Sequence, residues 1–359
     1  MTLRDYQQEA VTWLAGRFKG VVVSPAGSGK TLIAAAALDT VIRRKTRTEA
    51  VRIGWLANTK EQCQQARLAL DAFPLTLKQD VKIACAAAAT DWSDRDALIV
   101  DECHHSNAPG WAAQIATCPG ARWGFTATPP DDQLEAKLLR ELLGESFTIT
   151  RERVQRNLAP AVVRWLDAND PGLKQAIDAD IQTTLSWRKR YWSGDPGQLW
   201  GQVAWQICVK RGIVENKARN AAAIAAAVND RPTLVLVNQV EHGQTLSDAI
   251  AGARPCYSAM GAKLRRETLA DFTAGRCRCI VATSLADEGL DLPNAAVLVL
   301  VSGGRSKART EQRTGRVLRE FAGKPNGTIY DFRDSYHPLA AKHARVRAEL
   351  YEKLGYKEA

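Results

Sequence analysis

The 359-residue chain predicts an α/β fold, two parallel-sheet domains in tandem with a helical insert between them. Three observations predict it. Strand-like apolar runs alternate with helix-like stretches in both halves of the chain. A middle segment, from about residue 167 to 229, carries charge and tryptophan but little strand signal. And Ser24-Pro25-Ala26-Gly27-Ser28-Gly29-Lys30-Thr31 stands between a valine run and an alanine-rich helical run, which reads as strand, glycine loop, helix.

The elements follow in order. Residues 21–23, 53–56, 97–100 and 122–126 read as strands, with helices over 31–44 and 60–73 between them. They define a first domain over 1–150. Residues 151–230 read as a connector with the helical insert, broken by a turn at Ser193-Gly194-Asp195-Pro196-Gly197. Alternation resumes with strands over 233–237, 279–283, 296–301 and 328–332 and a closing helix over 337–353, giving a second domain over 231–359. The clusters 34–37 and 221–227 are alanine-rich helix formers.

Composition narrows the function class. A net charge of +10 favours a polyanionic partner. A hydrophobic content of 45% supports ordinary cores, no apolar run is long enough to span a membrane, and the start MTLRDYQQEA lacks a signal peptide's apolar segment. The expectation is a soluble cytoplasmic protein. The eight cysteines form no C-x-x-C pair and read as reduced structural thiols. Cys103-His104-His105 has no second ligand pair at zinc-site spacing.

The glycine loop carries the strongest chemistry. Gly27 and Gly29 let the backbone curl so that its N–H groups, from Ala26 through Thr31, point at phosphate oxygens, and the helix that follows adds its N-terminal donors. Lys30 would reach the β- and γ-phosphates and the Thr31 hydroxyl would ligate Mg²⁺. Leu98-Ile99-Val100-Asp101-Glu102-Cys103-His104 is an apolar strand ending in two carboxylates and a histidine. Asp101 would hold the metal, and Glu102 would orient and deprotonate the attacking water.

These motifs resemble those of the superfamily 2 helicases. Asp101-Glu102-Cys103-His104 resembles a DExH box, Thr126-Ala127-Thr128-Pro129 motif III, residues 282–293 motif V, and Gln312-Arg313-Thr314-Gly315-Arg316-Val317-Leu318-Arg319 motif VI. Leu3-Arg4-Asp5-Tyr6-Gln7 resembles the adenine-reading start of the family. The resemblance runs in family order from residue 3 to residue 319. It implies two RecA-like domains that clamp ATP and Mg²⁺. It assigns adenine to Arg4 and Gln7, coupling of the ATP site to nucleic-acid movement to His104, Thr126 and Thr128, the nucleotide sugar to Gly289 and Asp291, arginine fingers to Arg316 and Arg319, and ordering of the attacking water to Gln312. An arginine finger is worth ~10³–10⁵ in rate.

Strand contacts are implied at Thr59 and Lys60, within a motif Ia-like stretch over 56–65 in which Asn58 replaces the usual proline, and at Thr90, Asn238, Thr283 and Arg305. Threonines and amides hold phosphates without reading bases, so binding should be largely independent of sequence. Trp187-Arg188-Lys189-Arg190-Tyr191-Trp192 admits two readings: an aromatic-cationic surface on which bases stack, or a helix whose tryptophans pack inward.

The L-R-x-Y-Q start and the G-L-D-L-P of motif V look closer to the UvsW/XPB/RadD neighbourhood than to DEAD-box proteins, and the chain is similar to a minimal enzyme of the kind phages encode. The expected function is an ATP-dependent helicase or translocase, a monomer acting on DNA as a single strand, fork or junction, alone or with replication, repair or defence proteins. An RNA-directed DExH ATPase, a restriction or defence motor subunit, and a clamp with an inactive ATP site are the alternatives, the last opposed by the intact Lys30, Asp101, Glu102, Arg316 and Arg319.

Overall fold

The computed structural model describes residues 3–359 except 26, 45–50, 73–78, 131, 156–158, 169, 171, 258, 284–291, 319–320 and 322. It divides into two units, Met1–Leu158 and Ala159–Ala359.

Unit 1 runs α1 (Asp5–Ala15), β1 (Lys19–Val23), α2 (Lys30–Arg44), β2 (Val51–Ala57), α3 (Lys60–Ala72), β3 (Gln79–Cys85), β4 (Ala97–Asp101), α4 (Pro109–Thr117), β5 (Ala121–Thr126), α5 (Gln133–Leu143), β6 (Ser146–Thr148) and α6 (Arg151–Gln155). The strands pair in parallel in the order β3-β2-β4-β5-β1-β6. Near-continuous apolar runs suit such a sheet because both of its faces are covered. The strand period of two sorts the side chains. Val22, Ile53, Ile99 and Trp123 join one core layer with α1 and α2, while Val21, Leu56, Leu98 and Val100 join the other with Trp111, Ile115 and Leu139. The ends of β4, β5 and β1 therefore lie side by side, where open α/β sheets place their ligands.

Unit 2 runs β7 (Ala161–Leu166), α7 (Leu173–Arg188), α8 (Pro196–Ile207), α9 (Lys217–Ala227), β8 (Thr233–Leu236), α10 (Val240–Ala249), β9 (Ala253–Cys256), α11 (Ala262–Thr273), β10 (Cys279–Ala282), β11 (Val297–Leu300), α12 (Lys307–Val317), β12 (Gly327–Phe332), α13 (Pro338–Lys353) and β13 (Lys357–Glu358). Its parallel sheet is ordered β13-β7-β12-β11-β8-β10-β9.

The connector expected over 151–230 is corrected here. β7 pairs along its whole length with β12, so residues 161–166 belong to the second sheet. The helical segment belongs to unit 2 as well. Ile177, Ile181 and Leu185 form an i, i+4 stripe on α7 that packs on Leu199, Val203 and Cys208 of the α8 region and on Tyr336 and Ala340. β3, β6, β9 and β13 also lay outside the sequence expectation. β3 alternates polar and apolar residues at a sheet edge, and β9 carries a proline that only an edge tolerates.

Candidate active site and strand contacts

In unit 1 the phosphate loop follows β1. Its first residue is tied to the neighbouring strand, Ser24 N–H donating to the Thr126 carbonyl at 2.9 Å. The loop is closed on itself by Ser28 Oγ donating to Ser24 Oγ at 2.9 Å. Gly29 has φ 81°, and a Cβ there would lie 2.6 Å from Gln7 Nε2, so both the backbone angle and the space require glycine. Gln7 is more engaged than an adenine reader needs to be. Its Nε2 donates to the Ser28 carbonyl and its Oε1 accepts the Arg4 N–H, both at 2.9 Å. Gln7 thus braces the phosphate loop from α1, and its second Nε2 proton and second Oε1 lone pair remain for a base edge. Arg4 is half-buried and its guanidinium donates to the Tyr6 hydroxyl. Lys30 and Thr31 open α2, both half-buried.

β4 ends at Asp101, and the chain turns at once. Glu102 has φ 47° and ψ 50°, a left-handed conformation that costs a residue with a Cβ about 1–2 kcal/mol. In a continuing strand the two carboxylates would point to opposite faces, and this turn breaks that alternation. Burial first, and then the charge of Glu102, push the Asp101 carboxyl up to about 7, opposed by Lys30. Glu102 Oε2 is buried 3.5 Å from His104 Nδ1, without a hydrogen-bond partner among the described residues. A desolvated carboxylate crowded by a second one and facing a lysine fits a hard dication bound with a phosphate, so Thr31 and Asp101 suit Mg²⁺.

The three residues expected to couple the site do meet. His104 Nδ1 lies 2.9 Å from Thr126 Oγ1, which also accepts the Thr128 N–H at 3.1 Å. Thr126 is fully buried and anchors the phosphate loop through its carbonyl. Burial, then the charge of His105, lower the His104 pKa, which keeps its ring neutral near pH 7.

Among the strand candidates of unit 1, Thr59 and Lys60 follow β2 and Thr90 lies beyond its neighbour β3, so all three sit at one end of adjacent strands. Gln62, which sequence reasoning missed, already occupies several donors there. Its Oε1 accepts the Asn58 and Thr59 N–H groups, and its own N–H donates to Thr59 Oγ1. The T-x-x-Q spacing of a capping box was the available signal. Lys60 is exposed. Thr90 is half-buried, its N–H given to Gln114.

In unit 2, Asn238 follows β8 and donates to the Ser302 carbonyl at 2.9 Å, while Arg313 donates to Ser302 Oγ at 2.6 Å. Around them lies a cavity of about 550 Å³ whose walls include Asn238, Arg305, Arg309, Arg313, Gln202 and Trp205, with no carboxylate among the described residues of its lining. Asn238 and the exposed Arg305 therefore line one cavity, together with Gln202 and Trp205 of α8. A buried network holds the turn that carries Arg305. Arg219 donates to the Val301 carbonyl and pairs with Asp334. Arg347 pairs with Asp331 and Asp334 and donates to the Gly304 carbonyl at 2.7 Å. Gly303 and Gly304, at φ 60° and 104°, make that turn available. Thr283, just after β10, is buried, and its hydroxyl has no hydrogen-bond partner among the described residues. Gln312 and Arg316 share a face of α12, four residues apart, Gln312 half-buried and Arg316 buried. Ala26, Gly289, Asp291 and Arg319 lie outside the described residues.

Residues 1–95 and 86–131 match the family described as "Type III restriction enzyme, res subunit", and residues 217–320 match "Helicase conserved C-terminal domain". The chain belongs to the superfamily 2 helicases, an ATP-hydrolysing family. Within that family it is XPB-like. It is 28% identical over 99% of its length to the "DNA 3'-5' helicase XPB" of Mycobacterium tuberculosis, and 24% identical over 92% to a helicase-named protein of a Sulfolobus islandicus filamentous virus. The chain spans 64% of the length of each of these relatives. Its fold matches the Pyrococcus furiosus Hef helicase domain with a TM-score of 0.57, at 15% identity, over 92% of this chain and 96% of that one. Among the described residues no helix is long and apolar enough to cross a membrane.

Proposed function

We propose that this chain is an ATP-dependent DNA helicase or translocase, moving 3′ to 5′ as the names of its XPB relatives indicate. The observation that carries the reading is the meeting of phosphate loop, DECH turn and TATP turn on the buried Thr126. ATP-bound Mg²⁺ supplies charge neutralisation on the transferring phosphoryl group. Lys30 binds the β- and γ-phosphates, Thr31 and Asp101 hold the ion, and Glu102 takes the proton of the attacking water. Gln312 helps to order that water, and Arg316 and Arg319 are the arginine-finger candidates. Any change at the Glu102–His104 turn reaches the TATP turn through one hydrogen-bonded hydroxyl, which gives hydrolysis a route to strand movement.

Phosphates of the strand would contact Thr59, Lys60 and Thr90 in unit 1 and Asn238 and Arg305 in unit 2. Among the described residues the cavity walls in unit 2 offer arginines and amides, which suits a phosphodiester backbone read without sequence preference. None of the eight cysteines is in a disulfide, which suits a protein of the reducing cytoplasm. The match to a restriction-enzyme family favours one second reading, a motor subunit whose nuclease resides in another chain.

ATPase rates with single-stranded DNA, duplex DNA, forked DNA and RNA, measured in parallel, test the proposal. Single-stranded or forked DNA should stimulate most. Greater stimulation by RNA would overturn the DNA assignment, and no stimulation by any of them would overturn the motor.

A further inference from the structure

The chain has ten tryptophans and seven tyrosines. The exposed ones are Trp187 (63%), Tyr191 (85%) and Trp200 (43%), all in the hairpin of α7 and α8. Everywhere else these rings are buried or half-buried, so their exposure here is not a general property of the surface. Trp187 is the penultimate residue of α7, and Tyr191 closes the 3₁₀ turn that follows the helix. Between them Arg188, Lys189 and Arg190 are all exposed, and none forms a salt bridge among the described residues. The Arg190 guanidinium lies 5.4 Å from the centre of the Trp187 ring.

The cluster is divided in its roles. Trp192 turns inward: it packs against the core shared by α7 and α8, and its Nε1 donates to the Asp195 carbonyl at 3.1 Å. Asp195, the nearest acid in sequence after the cluster, uses its carboxylate to cap α8 through the Gln198 N–H. The tip thus presents two open aromatic faces and three unneutralised cations, fixed on a hairpin whose apolar stripe and anchoring tryptophan are already satisfied.

We propose that Trp187 and Tyr191, with Arg188, Lys189 and Arg190, form a stacking surface for single-stranded nucleic acid. Bases stack on aromatic faces whatever their identity, while cations hold the adjoining phosphates. A duplex keeps its base faces covered, so the surface selects a separated strand. The assignment rests on the motor reading above and extends it to a site outside the family motifs.

The test uses the full chain, a labelled oligothymidine and an abasic oligodeoxynucleotide of equal length. Wild type should prefer the oligothymidine. The W187A/Y191A double variant should lose that preference, with affinity falling at least about fivefold per ring removed. Its melting temperature and DNA-free ATPase rate should not change, and W187F/Y191F should restore binding. K189Q/R190Q should weaken both oligomers alike and flatten the salt dependence. The proposal is overturned if the double variant keeps the oligothymidine preference, or if its melting temperature falls and all activities fall with it. If wild type binds neither oligomer, the motor reading and this proposal fall together. If DNA stimulates the ATPase but the preference survives the double substitution, this proposal alone falls.

Discussion

The two units hold their sites by different means. In unit 1 the phosphate loop, the DECH turn and the TATP turn are the ends of three neighbouring strands, joined by neutral hydrogen bonds through Thr126, Ser24 and Ser28. In unit 2 the turn bearing Arg305 is held from beneath by buried charges from distant parts of the chain, Arg219 in α9 and Arg347 in α13, with Asp331 and Asp334. A site of the first kind can shift when a neutral hydrogen bond is exchanged. A site of the second kind resists movement, because separating its partners would strand a charge in the interior. Unit 1 thus has the arrangement of a part that changes state, and unit 2 that of a rigid support for α12 and the cavity.

The largest test of that difference is Arg347→Met. It leaves Asp331 buried with Tyr351 as its remaining side-chain donor and removes the donor to the Gly304 carbonyl. Loss of one partner of a buried pair costs about 3–5 kcal/mol. Calorimetry should show the unit 2 transition moving down while the unit 1 transition stays in place. A loss below 1 kcal/mol would show that the network is not the support described here.

Glu102→Gln should have the opposite signature. It keeps the turn and the shape but removes the basic carboxylate, so turnover should fall by two or more orders of magnitude, about 3 kcal/mol on the barrier, with ATP still bound. Thermal stability should hold or rise, because the charge that crowds Asp101 is gone. Near-normal turnover would remove Glu102 from the role of general base.

Acid should separate the units as well. Burial lowers the pKa of both His242 and His343 in unit 2 to about 4, their charged neighbours being chiefly arginines. A group depressed in the folded state contributes stability that is complete above its unfolded pKa near 6.5 and is lost as pH falls towards the folded value. Unit 2 should lose on the order of 2 kcal/mol per histidine between pH 6.5 and 4. Denaturant midpoints measured across that window check it, and a flat profile would contradict the neutral buried state.

Much of this was legible in sequence, for a physical reason that differs between the units. The phosphate loop, Asp101-Glu102 and Thr126-Ala127-Thr128 are short patterns because each must fit one turn at one strand end, so local spacing carries the chemistry. The strand β7 and the Arg219–Asp334 and Arg347–Asp331 pairs carry no such signal. β7 and Arg219 are completed by residues far along the chain, and a lone arginine in a helix reads as a solvated face until its partner is known. The Trp187–Trp192 stretch falls between the two cases. Its composition was legible, but only the structure divides Trp192, which anchors, from Trp187 and Tyr191, which do not.

The smallest effect is the one that bears most directly on coupling. Thr126→Val preserves the shape of a fully buried side chain and deletes its hydroxyl. His104 Nδ1 and the Thr128 N–H then lose their shared partner, at a cost of roughly 1–2 kcal/mol in stability. The Ser24 N–H still reaches the Thr126 carbonyl, so the phosphate loop keeps its anchor, and DNA-free ATP turnover should persist. Stimulation by DNA should fall severalfold, because the DECH turn no longer reaches the TATP turn through a hydrogen bond. The decisive quantity is the ratio of stimulated to unstimulated turnover in the same preparation. A variant that loses both rates together would show Thr126 to be a packing residue, whereas loss of the ratio alone would place it on the route between hydrolysis and movement.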